Sequence, residues 1–312
     1  MSRVLRRLLR LALRAPWRPR PLVNDRGVTL DPDVRLMDAL ERRLQIGTEK
    51  GTPAEARAAF RRGIAVVAAR PLACEVEDAL AGGVPVRIYR GRGPTLVYLH
   101  GGGWCIGDLD THDVLCRRLA VEAGRVVVSV GYRLAPEHPF PAGLHDALAV
   151  LRWAGEAEVA GDSAGGNLAA AACVALRDAG ERVPARQILI YPGLDQRRLA
   201  ESHRLFADGP LLTAADIDWF QRHYDYGDAL DPLASPGLVP DARGLPPAIV
   251  ATAGFDPLRD EGEAFVAKLR DAGVPVTHLD EARLAHGYVQ MDGAIPEADR
   301  AVRRLIAALA RG

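Results

Sequence analysis

Gly161-Asp162-Ser163-Ala164-Gly165 is the stretch whose reading decides the fold. It is a Gly-x-Ser-x-Gly element, the pattern of a serine held on a sharp turn between a strand and a helix. The glycines two positions to either side lack a Cβ, so the turn can take rarely populated backbone angles and the helix can press on its neighbouring strand. The chain has only five serines, and 31 of its 312 residues are glycine. Two glycines correctly placed about one serine then arise by accident roughly 0.05 times in such a chain, so the pattern needs context. Downstream, Leu168 to Leu176 is strongly helix-forming and closes near Gly180, a suitable C-terminal cap. Upstream, Val159-Ala160 is a short apolar stretch, weakened as a strand by Glu156 and Glu158. Farther upstream, His100-Gly101-Gly102-Gly103-Trp104 is a glycine run able to offer backbone N–H groups to an oxyanion. Together these elements point to attack by a serine on a carbonyl.

The composition fits one large α/β domain with an appended lid. Hydrophobic residues make up 48% and charged residues 26%, with a formal net charge of zero. That balance describes an ordinary globular protein and argues against nucleic acid or an acidic polymer as partner. Cys74, Cys105, Cys116 and Cys173 show no Cys-x-x-Cys spacing and are expected to be free thiols, mostly buried. No stretch approaches the roughly 18 apolar residues of a membrane span. At the N-terminus, Arg3, Arg7, Arg10 and Arg14 share one helical face, with Leu5, Leu8, Leu9 and Ala12 on another. Arg10 and Arg14 interrupt any secretory core, so a cytoplasmic protein is expected. Such a helix either docks on the protein's own lid, the reading preferred here, or touches an anionic membrane surface. Pro16, Pro19 and Pro21 end it in a stiff connector.

Helical periodicity covers 33–46 and 54–69. From residue 74 short apolar runs alternate with helices. Strands are expected at 85–90, 95–100, 125–132, 187–191, 248–253 and 276–280, and helices at 111–123, 141–154, 164–179, 260–272 and 296–311. Several runs are apolar on both sides, as in strands buried beneath helices on both faces. This alternation implies a largely parallel sheet with ligands at the carboxyl ends of its strands. Residues 195 to 235 break the pattern. Their polar start gives way to a helix N-terminus at Thr213-Ala214-Ala215-Asp216, which runs on through Trp219, Phe220, His223 and Tyr224. An insertion there suits a lid, with Trp219 and Phe220 read as lid-helix packing and a pocket-lining role as the alternative.

A serine needs a base, and in this strand–turn–helix arrangement the partners follow in the order serine, acid, histidine. Of the histidines after Ser163, His203 and His223 fall in the expected lid and His278 inside a strand. His286, followed by Gly287, lies in a loop beyond the last strand and is the base of choice. The acid of choice is Asp256, directly after strand 248–253, where Pro257 stops extension of the sheet. Asp260 and Glu261 open a helix, where acids are favoured by the macrodipole alone, and are read as structural. The oxyanion donors are expected to be the N–H groups of Gly102 and Gly103, with Gly101 as a further candidate, and that of Ala164. His100 is read as a brace for the glycine loop, and Asp162 as a turn or lid contact. A metal site on Asp110, His112 and Asp113 lacks a convincing set of ligands.

The chain resembles the hormone-sensitive-lipase-like family of bacterial carboxylesterases, within the α/β-hydrolase fold, over roughly residues 75 to 312. Beside the two glycine-rich motifs, the likeness rests on Gly107-Asp108-Leu109-Asp110-Thr111-His112, Tyr132-Arg133-Leu134-Ala135-Pro136-Glu137, Gly166-Asn167, Asp256-Pro257-Leu258-Arg259-Asp260-Glu261-Gly262 and His286-Gly287-Tyr288. The resemblance implies an eight-stranded, mostly parallel sheet flanked by helices, with a helical cap. Residues 1–50 would contribute to the cap, 51–194 and 236–312 form the two parts of the core, and 195–235 be the cap insertion. It further implies hydrolysis of short- to medium-chain acyl esters through an acyl-enzyme on Ser163, Asp256 and His286, without metal or cofactor, by a monomer or homodimer. Gly131 stands where the family usually has an acid, Tyr288 where phenylalanine is commoner, and the segment between Trp153 and Gly161 looks shortened. An amidase, lactonase or carbamate hydrolase would use the same groups. A ligand receptor without turnover would be expected to have lost one of them.

Overall fold

The computed structural model describes residues 19–44 and 51–311. The expected arginine-rich N-terminal helix lies outside them. Two helices come first, α1 (Pro32–Leu44) and α2 (Pro53–Val67), the second opened by a Thr52–Glu55 capping box. The hairpin β1 (Val76–Ala81) and β2 (Val84–Tyr89) follows, then β3 (Thr95–Leu99), α3 (Asp113–Val121), β4 (Val126–Val130), α4 (Ala142–Ala154) and β5 (Ala157–Asp162). The chain continues through α5 (Ala164–Asp178), β6 (Gln187–Ile190), α6 (Glu201–Leu205) and α7 (Ala214–Tyr224). It closes with β7 (Ala248–Phe255), α8 (Arg259–Asp271), β8 (Val276–Ala285) and α9 (Pro296–Ala310).

The strands form one eight-stranded sheet in the order β1-β2-β4-β3-β5-β6-β7-β8. β2 pairs antiparallel with both β1 and β4, and every other pairing is parallel. Each face carries its own apolar cluster. On β3, Val97 and Leu99 belong to the cluster under α4 and α5, whereas Leu96 and Tyr98 belong to that under α3 and α9. Burial on both faces explains why the central strands read as continuous apolar runs.

One strand escaped the sequence reading and another was read as weak, each for a physical reason. β1 is an edge strand with Glu77, Asp78 and Leu80 exposed, joined to β2 through Gly82-Gly83, both at positive φ, and it lacks an apolar run. β5 is a full strand although it holds Glu158. That carboxylate is buried but accepts from Arg125 Nε at 2.7 Å and Arg186 Nη2 at 2.5 Å. Charge pairing replaces the apolar side chain that a pattern search would look for. β8 also runs five residues beyond the expected end, to Ala285.

Candidate active site

Ser163 follows the last residue of β5 and precedes the first of α5. Its backbone sits at φ 55° and ψ −119°, a conformation costing a non-glycine residue about 1–3 kcal/mol. The surroundings hold it there. A Cβ on Gly161 would lie 2.2 Å from Gly165 O, and one on Gly165 would lie 2.0 Å from Leu99 O. Only with both glycines can α5 pack this closely on the sheet. Burial of Leu168, Val174 and Leu176, at about 1.5–3 kcal/mol each, outweighs the strain.

Asp256 and His286 stand directly beyond β7 and β8, so all three side chains project from the carboxyl end of the sheet. His286 Nε2 lies 2.9 Å from Ser163 Oγ, and His286 Nδ1 lies 2.8 Å from Asp256 Oδ2. A carboxylate only accepts, so Nδ1 carries the proton and Nε2 is left to accept from the serine hydroxyl. Asp256 is fully buried, and its other oxygen accepts from Leu258 N at 2.8 Å. The carboxylate is fixed, and so is the tautomer.

Gly102, Gly103 and Ala164 line the cavity beside Ser163. The N–H groups of Gly102 and Gly103 donate to no acceptor among the described residues. Gly101 requires correction as a donor. Its N–H is given to Asp162 Oδ1 at 2.8 Å, and the residue does not face the cavity.

Asp162 is therefore neither a simple turn residue nor a lid contact. Fully buried, it accepts from Gly101 N, from Tyr98 Oη at 2.7 Å, and faces His112 Nε2 at 3.3 Å. Burial alone would raise its pKa, but His112, Tyr98 and Gly101 outweigh that and hold it below the usual carboxylate value. Gln290, three residues past Gly287, meets the same ring nitrogen of His112. Asp162, the residue before Ser163, thus holds the glycine loop directly and, through His112 and Gln290, reaches the turn that follows His286. The clue in the sequence was an acid adjoining the serine of the turn, a place where an unpaired charge would be costly.

His100 contacts Gly101 O through Nδ1 at 2.9 Å and stacks on Tyr132 at 4.2 Å. Burial, then the proximity of His112, lowers its pKa to about 4, so it is neutral at neutral pH. Asp260 and Glu261 do not bond His286. Asp260 accepts from Ser202 N at 2.8 Å, and Glu261 accepts from Leu194 N at 2.6 Å and meets His203 Nε2 at 3.1 Å. Both tie the inserted segment to α8. Asp110, His112 and Asp113 do not converge: Asp110 pairs with Arg87, and Asp113 with Arg117 and Tyr89.

Over Ser163 lies a cavity of about 310 Å³. Its floor is the site just described. Its walls come from Met37 of α1, Phe60 and Ile64 of α2, and Ile217 and Phe220 of α7. Of the two aromatics read together, Trp219 is buried beside His223, whereas Phe220 faces the cavity. The Phe220 ring so closely covers Gly103 that a Cβ there would lie 2.1 Å from it. Arg57 anchors α2 to Cys105 O and Ala135 O at 2.8 and 2.9 Å. Arg42 anchors α1 to Asp208 O and Gly209 O at 2.7 and 2.8 Å. No described helix is long and apolar enough to cross a membrane.

Residues 96–290 match a family model described as alpha/beta hydrolase fold. The chain is 41% identical to the carboxylic ester hydrolase LipN of Mycobacterium tuberculosis, over 88% of this chain and 84% of that one. It is 44% identical to the carboxylesterase NlhH of the same species, over 73% of this chain and 78% of the relative. Among solved structures, an ester hydrolase from the metagenome of Lake Arreo, complexed with a bipyridine phosphonate derivative, superposes with a TM-score of 0.83 at 39% identity. It covers 89% of this chain and 96% of that one. An esterase of Pyrobaculum calidifontis gives 0.80 at 35% identity, covering 90% and 98%.

Proposed function

The chain belongs to the carboxylic ester hydrolases of the α/β hydrolase fold and is a serine esterase, and on that premise we propose that Ser163, His286 and Asp256 carry its chemistry. The supporting observation is the continuous hydrogen-bonded line from Ser163 Oγ through His286 to the buried Asp256. Ser163 Oγ attacks the ester carbonyl while His286 Nε2 takes its proton. The negative charge on the carbonyl oxygen is received by the N–H groups of Gly102, Gly103 and Ala164, each typically contributing about 2.7–4 kcal/mol to transition-state stabilisation. Collapse breaks the ester C–O bond, and His286 returns the proton to the leaving alkoxide. A water, deprotonated by His286, then releases the acid from Ser163. Asp256 stabilises the imidazolium formed in each half-reaction.

The substrates are short- to medium-chain acyl esters. A cavity of about 310 Å³ lies at the small end of ligand pockets, and its walls are mostly apolar. In this reading residues 51–194 and 236–312 are the hydrolase core, and the cap is 195–235 with the described part of 1–50, as the lining contributed by α1 and α7 supports. The protein acts in the cytoplasm as a monomer or homodimer. Its four cysteines are free, three of them buried, which suits a reducing compartment. A series of p-nitrophenyl esters from acetate to palmitate tests the reading. Turnover should peak between butyrate and octanoate and vanish in Ser163→Ala. Turnover persisting near the wild-type rate in that variant would remove the nucleophile.

A further inference from the structure

Most charged side chains on the cavity wall are already engaged. Asp195 pairs with Arg197, Glu261 with His203 and Leu194 N, and Arg198 with Asp218. Asp216 closes the capping box of α7 on Thr213. Glu41 is different. It faces the cavity one helical turn after Met37, is only partly exposed, and makes no hydrogen bond or ion pair to any described residue. The guanidinium next to it, Arg42, is spent on Asp38, Asp208 O and Gly209 O. Burial, with Asp38 and Asp216 adding to it, pushes the Glu41 carboxyl up to about 7. Among the described residues a carboxylate so placed, on a mostly apolar wall, is under-satisfied, and the like charges of Asp38 and Asp216 outweigh the opposite charge of Arg42. An arriving cation relieves both defects.

We propose that Glu41 selects substrates: its carboxylate receives an ammonium group carried by the ester away from the scissile carbonyl. Aminoalkyl esters are then preferred to neutral esters of the same shape. The inference rests on Ser163 esterase activity in this cavity. The apolar wall of Met37, Phe60, Ile64 and Ile217 takes the hydrocarbon part of such a substrate, and Glu41 takes its charged end. The amine can belong to the alcohol or to the acyl part, so two isosteric pairs are needed. One is 2-(dimethylamino)ethyl butyrate against 3-methylbutyl butyrate, and the other is ethyl 4-(dimethylamino)butanoate against ethyl 5-methylhexanoate.

The experiment measures kcat/KM for all four esters at mildly alkaline pH, where the carboxylate is ionised and the amine still protonated. Wild type, Glu41→Gln and Glu41→Ala are compared, with folding of each variant checked by its circular dichroism melt. Dividing each amine-to-neutral ratio by the same ratio in the variant cancels the intrinsic reactivity of the esters. In at least one pair the ratio should fall about tenfold in both variants, the scale of a lost charge-assisted hydrogen bond. A fall smaller than threefold in both pairs overturns the role of Glu41. If wild type hydrolyses none of the four esters, the esterase reading of this cavity fails instead, a result distinct from unchanged ratios.

Discussion

Beneath the cavity the polar side chains hold one another in place. Asp162 meets Gly101, Tyr98 and His112, and Asp256 meets His286 and Leu258 N, both carboxylates being fully buried. Above the cavity the walls from α1, α2 and α7 are mainly apolar. Their polar anchors, Arg42 and Arg57, lie outside the cavity lining, and Glu41 faces inward with no hydrogen bond or ion pair to any described residue. The floor is over-determined, so a change there costs geometry and appears in kcat. The roof makes shape and charge contacts only, so a change there redistributes preference among substrates.

The largest break should come from removing the Ser163 hydroxyl, the proposed nucleophile. Ser163→Ala is expected to lower kcat by a factor on the order of 10⁴–10⁶ for every ester, measured with active-site concentration known. Next, Asp256→Asn should lower kcat on the order of 10⁴-fold by favouring the wrong histidine tautomer, while Asp260→Asn costs less than about tenfold. Equal losses would mean that the acid lies on α8. Asp162→Asn should cost about 10–10² in kcat with KM little changed, because the glycine loop loses its anchor and its amides drift from the oxyanion. A change confined to KM would move Asp162 functionally into the roof.

Phe220→Ala sharpens the contrast from the other side. Removing the ring over Gly103 should shift the preferred acyl chain upward by about two carbons and change KM severalfold, with a smaller effect on kcat. The smallest effect concerns acid stability. His100 titrates near 4 in the folded protein against 6.5 ordinarily, so between those values the unfolded chain binds the extra proton. Its contribution is fully present above pH 6.5 and is lost as pH falls towards 4. His278, also lowered by burial, acts in the same sense. The melting temperature should therefore drop over that window, and the drop should be shallower in His100→Asn, by the equivalent of at most about 3 kcal/mol.

The same division governs what could be read from the sequence. Residues whose positions are set by their own strand end or turn were legible: Ser163, Asp256 and His286 each adjoin an apolar run, and the structure brings them within hydrogen-bond distance. Roles set by a partner far along the chain were not. Gly101 looked like an oxyanion donor because a glycine run does not reveal which N–H is claimed by a carboxylate 61 residues later. β5 looked weak because Glu158 is neutralised by Arg125 and Arg186 from outside the strand. In the roof, period alone could not tell Trp219 from Phe220, neighbours on α7 of which one is buried and one faces the cavity. Nothing local marked Glu41, whose meaning depends on the cavity it faces and on the absence of a partner among the described residues.

Covalent trapping tests Ser163 as the nucleophile most directly. The enzyme is treated with a p-nitrophenyl alkylphosphonate, release of p-nitrophenolate is counted, and the modified peptide is located by mass spectrometry. One adduct per chain is expected, on Ser163, formed orders of magnitude more slowly in Asp256→Asn. An adduct on any other residue, or full ester hydrolysis by protein quantitatively labelled at Ser163, would contradict it.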